Sequence, residues 1–362
     1  MEHGHAHRAP LPPAFMTIRS AISASLISLA AACASGDAQE KTAQLAWSPD
    51  TLLVQPVLLR DLSDSSFGGD PLLRPMAVRW SDGFAYVADV GADRVAVLDS
   101  AARVVRWIGA HGRGPGELYG VGHVAVRNDR IFVGEALNGR VSEFTVAGQF
   151  VQAYASPFAA GALSATARNA VSAARSPTHY ATRLVNDGNP PFALRRARPQ
   201  AGAQRDRWIA LPGHDLIASD SATTWVFDQA TAAVCRYDEP RSAGLCATLP
   251  TSLLMRLRQY RDERVASLET ATRQHVASAP LAKDMMRVGA WLAVLLPLPE
   301  IPILLIDTDD GRVTPVALAG DSLPSWARSA RSFAWDGHGF VFVSDEGIGR
   351  FYIFRRPITE KP

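Results

Sequence analysis

Three stretches of this chain share one plan, and they decide the fold. The first reads AYVADVGADRVAVLD at 85–99, the second IFVGEALNGRVSEFT at 131–145, and the third VFVSDEGIGRFYIFR at 341–355. In each stretch a run rich in β-branched and aromatic residues ends at an acid, and an arginine five positions later opens the next run. Three matches at a single spacing indicate an internal repeat, and repeats take precedence over local cues when a fold is inferred.

The repeated acid and arginine define three candidate pairs: Asp89/Arg94, Glu135/Arg140 and Asp345/Arg350. Each acid ends a strand at a tight turn, and the arginine begins the strand that returns beside it. A pair held at the rim can fasten neighbouring turns, with a contribution of about 0–1 kcal/mol if it is exposed. We interpret these residues as structural, because recurrence around a ring is typical of packing, whereas an active site occurs once.

The repeat has the length of a propeller blade. Positions equivalent to the acid fall near 89, 135, 178, 228, 297 and 345, so the spacing is 43–50 residues except for one interval of 69. This period is typical of β-propellers. An early strand at 50–60 is placed to pair with the last blade and close the ring, which removes exposed sheet edges. The sequence therefore predicts an all-β fold, a six-bladed β-propeller over residues 49–358.

The long interval contains a segment of different character. Residues 251–277 lack proline and glycine. Four apolar residues recur there at helical spacing: Leu254, Leu257, Val265 and Leu268. The pattern predicts one helix or two short ones, within a helical insert at 251–280 between blades four and five. The face rich in Arg and Glu is a solvated surface in the simpler interpretation and a partner surface in the alternative.

The most specific motif is a glycine-rich link between two blades. It lies within IGAHGRGPGELYGVGHVAV at 108–126, which runs into RIFVGEALNGRVSEF at 130–144. This segment resembles the NHL-type repeat of six-bladed β-propellers, in which a G-x-G-P-G-E segment joins consecutive blades. The resemblance is clear over about 73–154 and again at 330–356. It implies the same six-bladed architecture.

The N-terminal region predicts export. Residues 16–32 read MTIRSAISASLISLAAA, in which Arg19 precedes a 12-residue apolar stretch that is too short for a comfortable membrane span. Cys33 follows directly and resembles the lipobox cysteine of bacterial lipoproteins, whose acyl chains anchor a protein to the bilayer. Ordinary signal cleavage nearby is the alternative. By the same resemblance Ala34 favours the outer membrane, and residues 33–48 form a lipidated tether.

Residues 1–15 precede this signal peptide and do not fit it. We interpret them as the product of a start codon assigned too far upstream, so that Met16 begins the protein. The alternative is a weak metal-binding tract, because His3, His5 and His7 alternate.

Two further cysteines agree with export. Cys235 and Cys246 lie in strand-like runs on either side of a turn. A hairpin centred between Pro240 and Arg241 places the two thiols opposite each other, within the distances that a disulfide requires. An oxidising compartment maintains such a bond. Two separate buried thiols are the alternative. Zinc is disfavoured, because two cysteines without a nearby His or Cys pair cannot complete four ligands.

Several activities lack support in the sequence. The net charge of +2 gives no electrostatic footprint for nucleic acid. The letters GDSL at 320–323 match a hydrolase nucleophile block, but they lie late in the chain, and no D-x-x-H pair follows. The histidines outside the leader are scattered one per region: His111, His123, His179, His214, His275 and His338. No pair of them has the short spacing of a metal site.

The sequence therefore favours a binding scaffold. We expect an exported, lipid-anchored propeller of the bacterial cell envelope, whose loops at one mouth of the ring bind a protein or a small molecule. We assign no catalytic residue, cofactor or metal ligand, and we expect a monomer that meets the membrane through its lipid anchor only. The alternative is a metal-dependent hydrolase or lyase at the central channel, as in the gluconolactonases and lyases that resemble this architecture. A third interpretation is an envelope sensor or assembly factor acting through the insert at 251–280.

Overall fold

The structure is a computed structural model. It describes residues 43–48, 51–61, 70–155, 162–165, 170–173, 179–184, 193–195, 215–220, 223–229, 231–238, 245–272, 279–318, 330–344 and 350–355. The leader, Cys33 and Asp345 lie outside these residues, so the predictions made for them stay predictions.

The described residues are mostly β-structure. In chain order the strands are β1 (Ala43–Gln44), β2 (Ala46–Trp47), β3 (Leu52–Asp61), β4 (Pro75–Ser81), β5 (Phe84–Asp89), β6 (Arg94–Leu98), β7 (Val104–Ile108), β8 (Val121–Arg127), β9 (Arg130–Glu135), β10 (Arg140–Thr145), β11 (Phe150–Ala155), β12 (Leu163–Ala165), β13 (Ala170–Ala173), β14 (His179–Leu184), β15 (Ala193–Arg195), β16 (Leu216–Ser219), β17 (Thr223–Asp228), β18 (Ala233–Asp238), β19 (Leu245–Thr248), β20 (Asp284–Val288), β21 (Trp291–Leu295), β22 (Ile303–Asp307), β23 (Arg312–Leu318), β24 (Ala330–Trp335), β25 (Gly339–Ser344) and β26 (Arg350–Arg355). The helix α1 is Thr251–Thr272.

Tight turns set the register of the first two hairpins. Asp82 and Gly83 have φ of 50° and 83° between β4 and β5, and Asn128 and Asp129 have φ of 45° and 54° between β8 and β9. Two central residues with positive φ are typical of the turn whose twist matches that of the flanking strands. The D-G and N-D dipeptides of the sequence therefore fix where each hairpin folds back.

The sheets correct the predicted blade count. Three sheets are separate four-stranded blades, β4–β7, β8–β11 and β12–β15, and a fourth contains β16–β19 with β1 added at its edge. The remaining strands, which were predicted as two further blades, form one nine-stranded sheet. They merge because β3 pairs in parallel with β23 and antiparallel with β26. The described structure thus contains four separate blades and one larger sheet, not six separate blades.

The sheets are arranged as a propeller. The first strands of consecutive units contact one another in the order β4, β8, β12, β16, β20 and β24, and β24 contacts β4 again. The last strands lie outermost, since the side chains of β11 alternate between half-buried and exposed, whereas β5 is buried from its second residue onward. Clusters of buried apolar residues join neighbouring sheets, as where Val78 and Val87 pack with Val341.

The N-terminal segment runs across the outer edges of several sheets. β1 pairs in parallel with β19, β2 pairs in parallel with β23, and β3 then lies between β23 and β26. The pairing of β3 with β26 agrees with the predicted role of the strand at 50–60. We call residues 43–48 the strap.

The predicted insert is a single helix where it is described. α1 follows β19 after two residues and ends at Thr272, and residues 279 and 280 are not helical, so the described helix is shorter than the predicted insert at 251–280. Leu253 and Leu257 are buried against the blade of β16–β19, whereas Val265 and Leu268 are only half-buried. The first half of α1 therefore packs on the propeller more closely than the second.

Candidate functional site

The acid of the first repeat is fastened by the backbone. Asp89 is fully buried at the end of β5. Its Oδ2 accepts the N–H of Leu73 at 2.9 Å, and its Oδ1 accepts the N–H groups of Arg74 at 2.7 Å and Gly91 at 3.1 Å. The carboxylate therefore joins the segment before β4 to the turn after β5, and its burial is compensated by hydrogen bonds.

The arginine of the first repeat has other partners. Arg94 lies opposite Asp89 in the strand register, but its Nη1 donates to Asp70 at 3.0 Å, and its Cζ lies 3.6 Å from the ring centroid of Trp107. Asp89 and Arg94 are therefore register partners, but no direct ion pair joins them among the described contacts. The reason is that backbone N–H groups already occupy the oxygens of Asp89, while the face of Trp107 attracts the guanidinium.

The second repeat does contain an ion pair. Nε of Arg140 donates to Oε1 of Glu135 at 2.9 Å, and Glu135 is fully buried. Glu135 also accepts the Ser142 hydroxyl, the Asn138 side-chain amide and, at 3.1 Å, the N–H of Tyr119. Glu135 thus holds the start of β8 and the turn after β9 together.

Arg140 reaches on into the glycine-rich link. Its terminal nitrogens donate to three backbone carbonyls of that link: Arg113 at 3.1 Å, Gly114 at 3.0 Å and Glu117 at 2.8 Å. A guanidinium has several donors in a fixed fork, so it can fasten several carbonyls at once. The G-R-G-P-G-E segment is therefore held in place by the arginine of the following blade.

The remaining predicted residues divide into two groups. Asp345 and the side chain of Arg350 lie outside the described residues. Cys235 and Cys246 face each other in the register of β18 and β19, and their sulfur atoms are bonded at 2.07 Å. This disulfide lies in the blade whose outer edge carries the strap.

A layer of equivalent positions, three of them polar, lies on the innermost strands. Each unit begins with an inner strand that turns back into the second strand. In four units, the residue separated from this turn by four others is Ala77, His123, Asp284 or Ser332. In three of these strands a β-bulge directly precedes the residue. Bulges re-aim side chains and are common next to functional sites. We call these four residues, together with Arg79, the channel layer.

Arg79 and Asp284 form the charged centre of the channel layer. The guanidinium of Arg79 donates to both oxygens of Asp284, at 2.9 and 3.0 Å, although 205 residues separate them. The pair joins β4 to β20 across β24, which supplies the Ser332 hydroxyl as a further donor to Asp284. Backbone N–H groups of Met285 and Phe333 complete the set at 2.8 and 3.3 Å.

This network limits the chemistry of Asp284. Five donors engage its two oxygens, and the side chain is almost completely buried. A carboxylate so occupied cannot bind a metal ion or accept a proton from a substrate unless the network breaks. We therefore interpret Arg79 and Asp284 as a clasp between inner strands.

His123 completes the channel layer on β8. Burial lowers the pKa of its imidazole to about 4, a shift that the charge of Asp284 opposes and that of Arg79 reinforces. The ring is therefore neutral near pH 7, and within the described structure no hydrogen bond engages it. A neutral imidazole of this kind can accept a proton or a hydrogen bond, or bind a metal.

A second cluster lies where the turns and links of blades one and two meet. Asp93, at φ 50°, accepts the N–H groups of Gly120 and Val121 at 2.7 and 3.2 Å, and its other oxygen lies 2.8 Å from Nδ1 of His111. The ring of His111 stands edge-on to Tyr119, at 5.1 Å between centroids.

Apolar side chains are exposed on the same side of the molecule. Leu73 is 58% exposed and Leu137 is 61% exposed. Leu73 lies against Gly91, where an added Cβ would come within 2.6 Å of it, and Leu137 lies equally close to Gly120. We call Leu73, His111, Arg113, Tyr119 and Leu137 the turn face. It combines exposed apolar, aromatic and cationic groups, which is the composition of many binding surfaces.

Sequence analysis missed the channel layer almost entirely. Arg79, Asp284 and Ser332 belong to no motif, and His123 was one scattered histidine among six. One signal was present: all four positions of the layer precede a two-residue turn by the same number of residues. In the described part of the chain, no three His, Cys, Asp or Glu side chains converge as a metal site would require. The helix α1 is not apolar enough to cross a membrane, and no other helix is described.

Comparisons with known proteins give only distant structural matches. No protein-family model matches the sequence, and no curated protein matches it. The structure is similar to virginiamycin B lyase from Staphylococcus aureus, solved as a catalytically inactive variant with quinupristin, at 12% identity and a TM-score of 0.49, covering 83% of this chain and 89% of that one. It is also similar to a streptogramin B lyase, at 11% identity and a TM-score of 0.46, covering 82% and 97%. A candidate exported protein from Bacteroides fragilis matches at 10% identity and a TM-score of 0.46, covering 87% and 99%.

Proposed function

We propose that this chain is an exported β-propeller of the NHL-repeat type, anchored through acylated Cys33, that binds a partner in the bacterial cell envelope. Export and anchoring are supported by the leader at 16–32 and by the cysteine that directly follows it. The partner is a protein or a small molecule that meets the turn face.

The proposal includes a ring of six blades. The nine-stranded sheet divides naturally at β3 into two antiparallel units, β20–β23 and β24–β26 with β3 as the fourth strand. Added to the four separate blades, these make six. The closed sequence of contacts among the six first strands supports this count.

The observation that carries a binding role is the occupied state of the channel layer. Asp284 is the one acid of the channel layer. Both of its oxygens accept hydrogen bonds from Arg79, Ser332 and backbone N–H groups, and these contacts hold inner strands together. The turn face, by contrast, leaves Leu73 and Leu137 more than half exposed. Exposed groups on a rigid scaffold are the ones available for recognition.

Capture from envelope extract tests this role. The anchored full chain should recover a partner, and Leu73→Ala with Leu137→Ala should reduce the recovery strongly, because two apolar anchors are lost. Val105→Ala is the matched control, since Val105 is exposed on β7, away from the turns. Recovery that is unchanged in the double variant would reject the turn face as the binding surface.

A second candidate is favoured by one observation on His123. Its neutral imidazole has no hydrogen bond within the described structure and lies on an inner strand, where a metal-dependent hydrolase or lyase would place a ligand. Metal analysis of the purified chain discriminates. A divalent ion held at one per chain, and lost in His123→Ala but not in His338→Ala, would favour the enzyme.

A further inference from the structure

The strap and the first turn of α1 form one continuous surface. Nε2 of Gln44 donates to the Thr251 hydroxyl at 2.6 Å, and Nε1 of Trp47 donates to the Ser252 hydroxyl at 3.1 Å. The strap is also paired with β19 and β23, so it is fixed on both sides. Trp47 and the start of α1 therefore keep a constant relative position.

This surface exposes two large apolar side chains next to each other. Trp47 is 38% exposed and Met255 is 60% exposed. Met255 follows Ser252 by three residues, so both lie on the same side of the helix, and Ser252 is the residue that Trp47 contacts. The indole ring of Trp47 is thus partly exposed, and its N–H has a hydrogen-bond partner. Tryptophans at a membrane–water interface have the same two features.

The same surface carries one positive charge that is unpaired among the described residues. The first eleven residues of α1, TSLLMRLRQYR, contain three arginines, and Asp262 and Glu263 follow directly. Arg256 pairs with Glu300 and Arg261 pairs with Asp262, while exposed Arg258 has no ion-pair partner in the described part of the chain. The N-terminal end of a helix adds a partial positive charge. Anionic groups are therefore attracted to this end of α1.

The chain length upstream limits the distance between this surface and the proposed anchor. Nine residues separate Cys33 from Ala43. At about 3.6 Å per residue, such a tether spans at most about 35 Å when fully extended. Ala43 lies on β19, next to the start of α1. An acyl group on Cys33 would therefore hold Ala43 within this distance of the bilayer.

We propose that Trp47, Met255 and Arg258 form a surface that lies on an anionic phospholipid bilayer and orients the propeller. The inference rests on the proposed lipid anchoring for its biological setting. Apolar side chains enter the headgroup region while arginines meet phosphates. This second contact leaves the turn face free to meet a partner.

Vesicle flotation tests the surface without the anchor. The full chain carrying Cys33→Ser should float with vesicles of phosphatidylethanolamine and phosphatidylglycerol at low salt. Arg258→Ala should weaken binding about fivefold, the effect expected for one basic residue at an anionic surface. Met255→Glu should weaken it further, because it replaces an apolar contact with a negative charge. Val105→Glu, an equally exposed site on β7, should bind as the parent chain does.

The outcomes separate this inference from the proposed function. Loss of flotation in Met255→Glu and Arg258→Ala, with retention in Val105→Glu, supports the surface. The proposed bilayer surface is overturned if the parent chain fails to float, or if all three variants lose flotation equally. It is also overturned if a partner protein protects Met255 from oxidation in a lipid-free extract. Incorporation of labelled palmitate into the unaltered chain measures acylation of Cys33 separately. If no palmitate is incorporated, the proposed anchoring is contradicted, but the flotation result still stands by itself.

Discussion

Buried carboxylates at strand ends hold this molecule together at the residue scale. Asp89 is satisfied by backbone N–H groups, Glu135 by side chains, and Asp284 by Arg79 and Ser332. The sequence predicted the first two, because both sit at one position of a repeat. It did not predict the third, because the partners of Asp284 are distant in the chain and no local pattern records such a contact.

Arg79→Ala should destabilise the protein strongly. It leaves Asp284 buried without its counter-charge, a change that costs about 3–5 kcal/mol when one partner of a buried pair is removed. The free energy of unfolding from urea titration measures this. Arg103→Ala is the control, because its pair with Asp99 is largely exposed and is worth about 0–1 kcal/mol. Similar losses in the free energy of unfolding in both variants would show that the contact between Arg79 and Asp284 does not stabilise the inner strands.

His123 should make stability depend on pH. Its pKa is lowered to about 4 in the folded state, from 6.5 in the unfolded chain, so the unfolded state binds more protons between these values. Stability from this group is complete above pH 6.5 and falls as the pH drops towards 4. We expect a loss of about 2 kcal/mol over this window, less than the full shift implies, because the side chain is only half-buried.

His123→Gln should remove this part of the pH dependence. Urea titrations of the variant and the parent chain at several pH values between 4 and 7 give the difference directly. His338→Gln, at an exposed histidine in the turn before β25, should leave the profile unchanged. A parent chain and a His123→Gln chain with parallel profiles would contradict the lowered pKa.

Turns and strands were the most predictable features at the scale of elements. D-G and N-D dipeptides located the hairpins of blades one and two, and the strand at 50–60 was matched to the last blade. Its additional pairing with β23, which merges two sheets, could not be predicted, because strand pairing between distant segments leaves no periodic signal. The helix was predicted from its apolar spacing and from the absence of glycine and proline at 251–277.

Gly120→Ala should be much more costly than Gly139→Ala. Both glycines have positive φ, at 72° and 63°, so alanine at either site is strained by about 1 kcal/mol. An added Cβ at Gly120 would also lie 2.8 Å from the backbone N of Leu137, whereas nothing lies within 4 Å at Gly139. We expect a total loss of about 3 kcal/mol for Gly120→Ala, measured by urea unfolding. Equal losses would mean that the link and the turn do not approach as described.

Opening the disulfide should weaken the blade that carries the strap. Cys235 and Cys246 are 11 residues apart, and a cross-link that closes a loop of this size is worth about 2–3 kcal/mol. Cys246→Ser should lower the free energy of unfolding by this amount under oxidising conditions. Addition of dithiothreitol should lower the parent chain to the same value and leave Cys246→Ser unchanged. A parent chain unaffected by the reductant would contradict a stabilising role.

At the scale of the whole molecule, buried ionic contacts and the two proposed binding surfaces lie in different places. Buried charges connect inner strands and links, while the turn face and the surface beside the strap expose apolar side chains. The regular repeat that revealed the architecture is therefore mainly structural. As proposed, two exposed surfaces on different elements would allow one to meet a bilayer while the other meets a partner.

Hydrogen exchange of the full chain, with and without the captured envelope partner, tests the proposed binding role most directly. We predict protection confined to the turn face, in peptides covering residues 72–74, 111–119 and 136–138, and no change in β8 or β20. Protection that centred on the inner strands around His123 and Asp284 and left the turns unchanged would contradict a binding module of this kind.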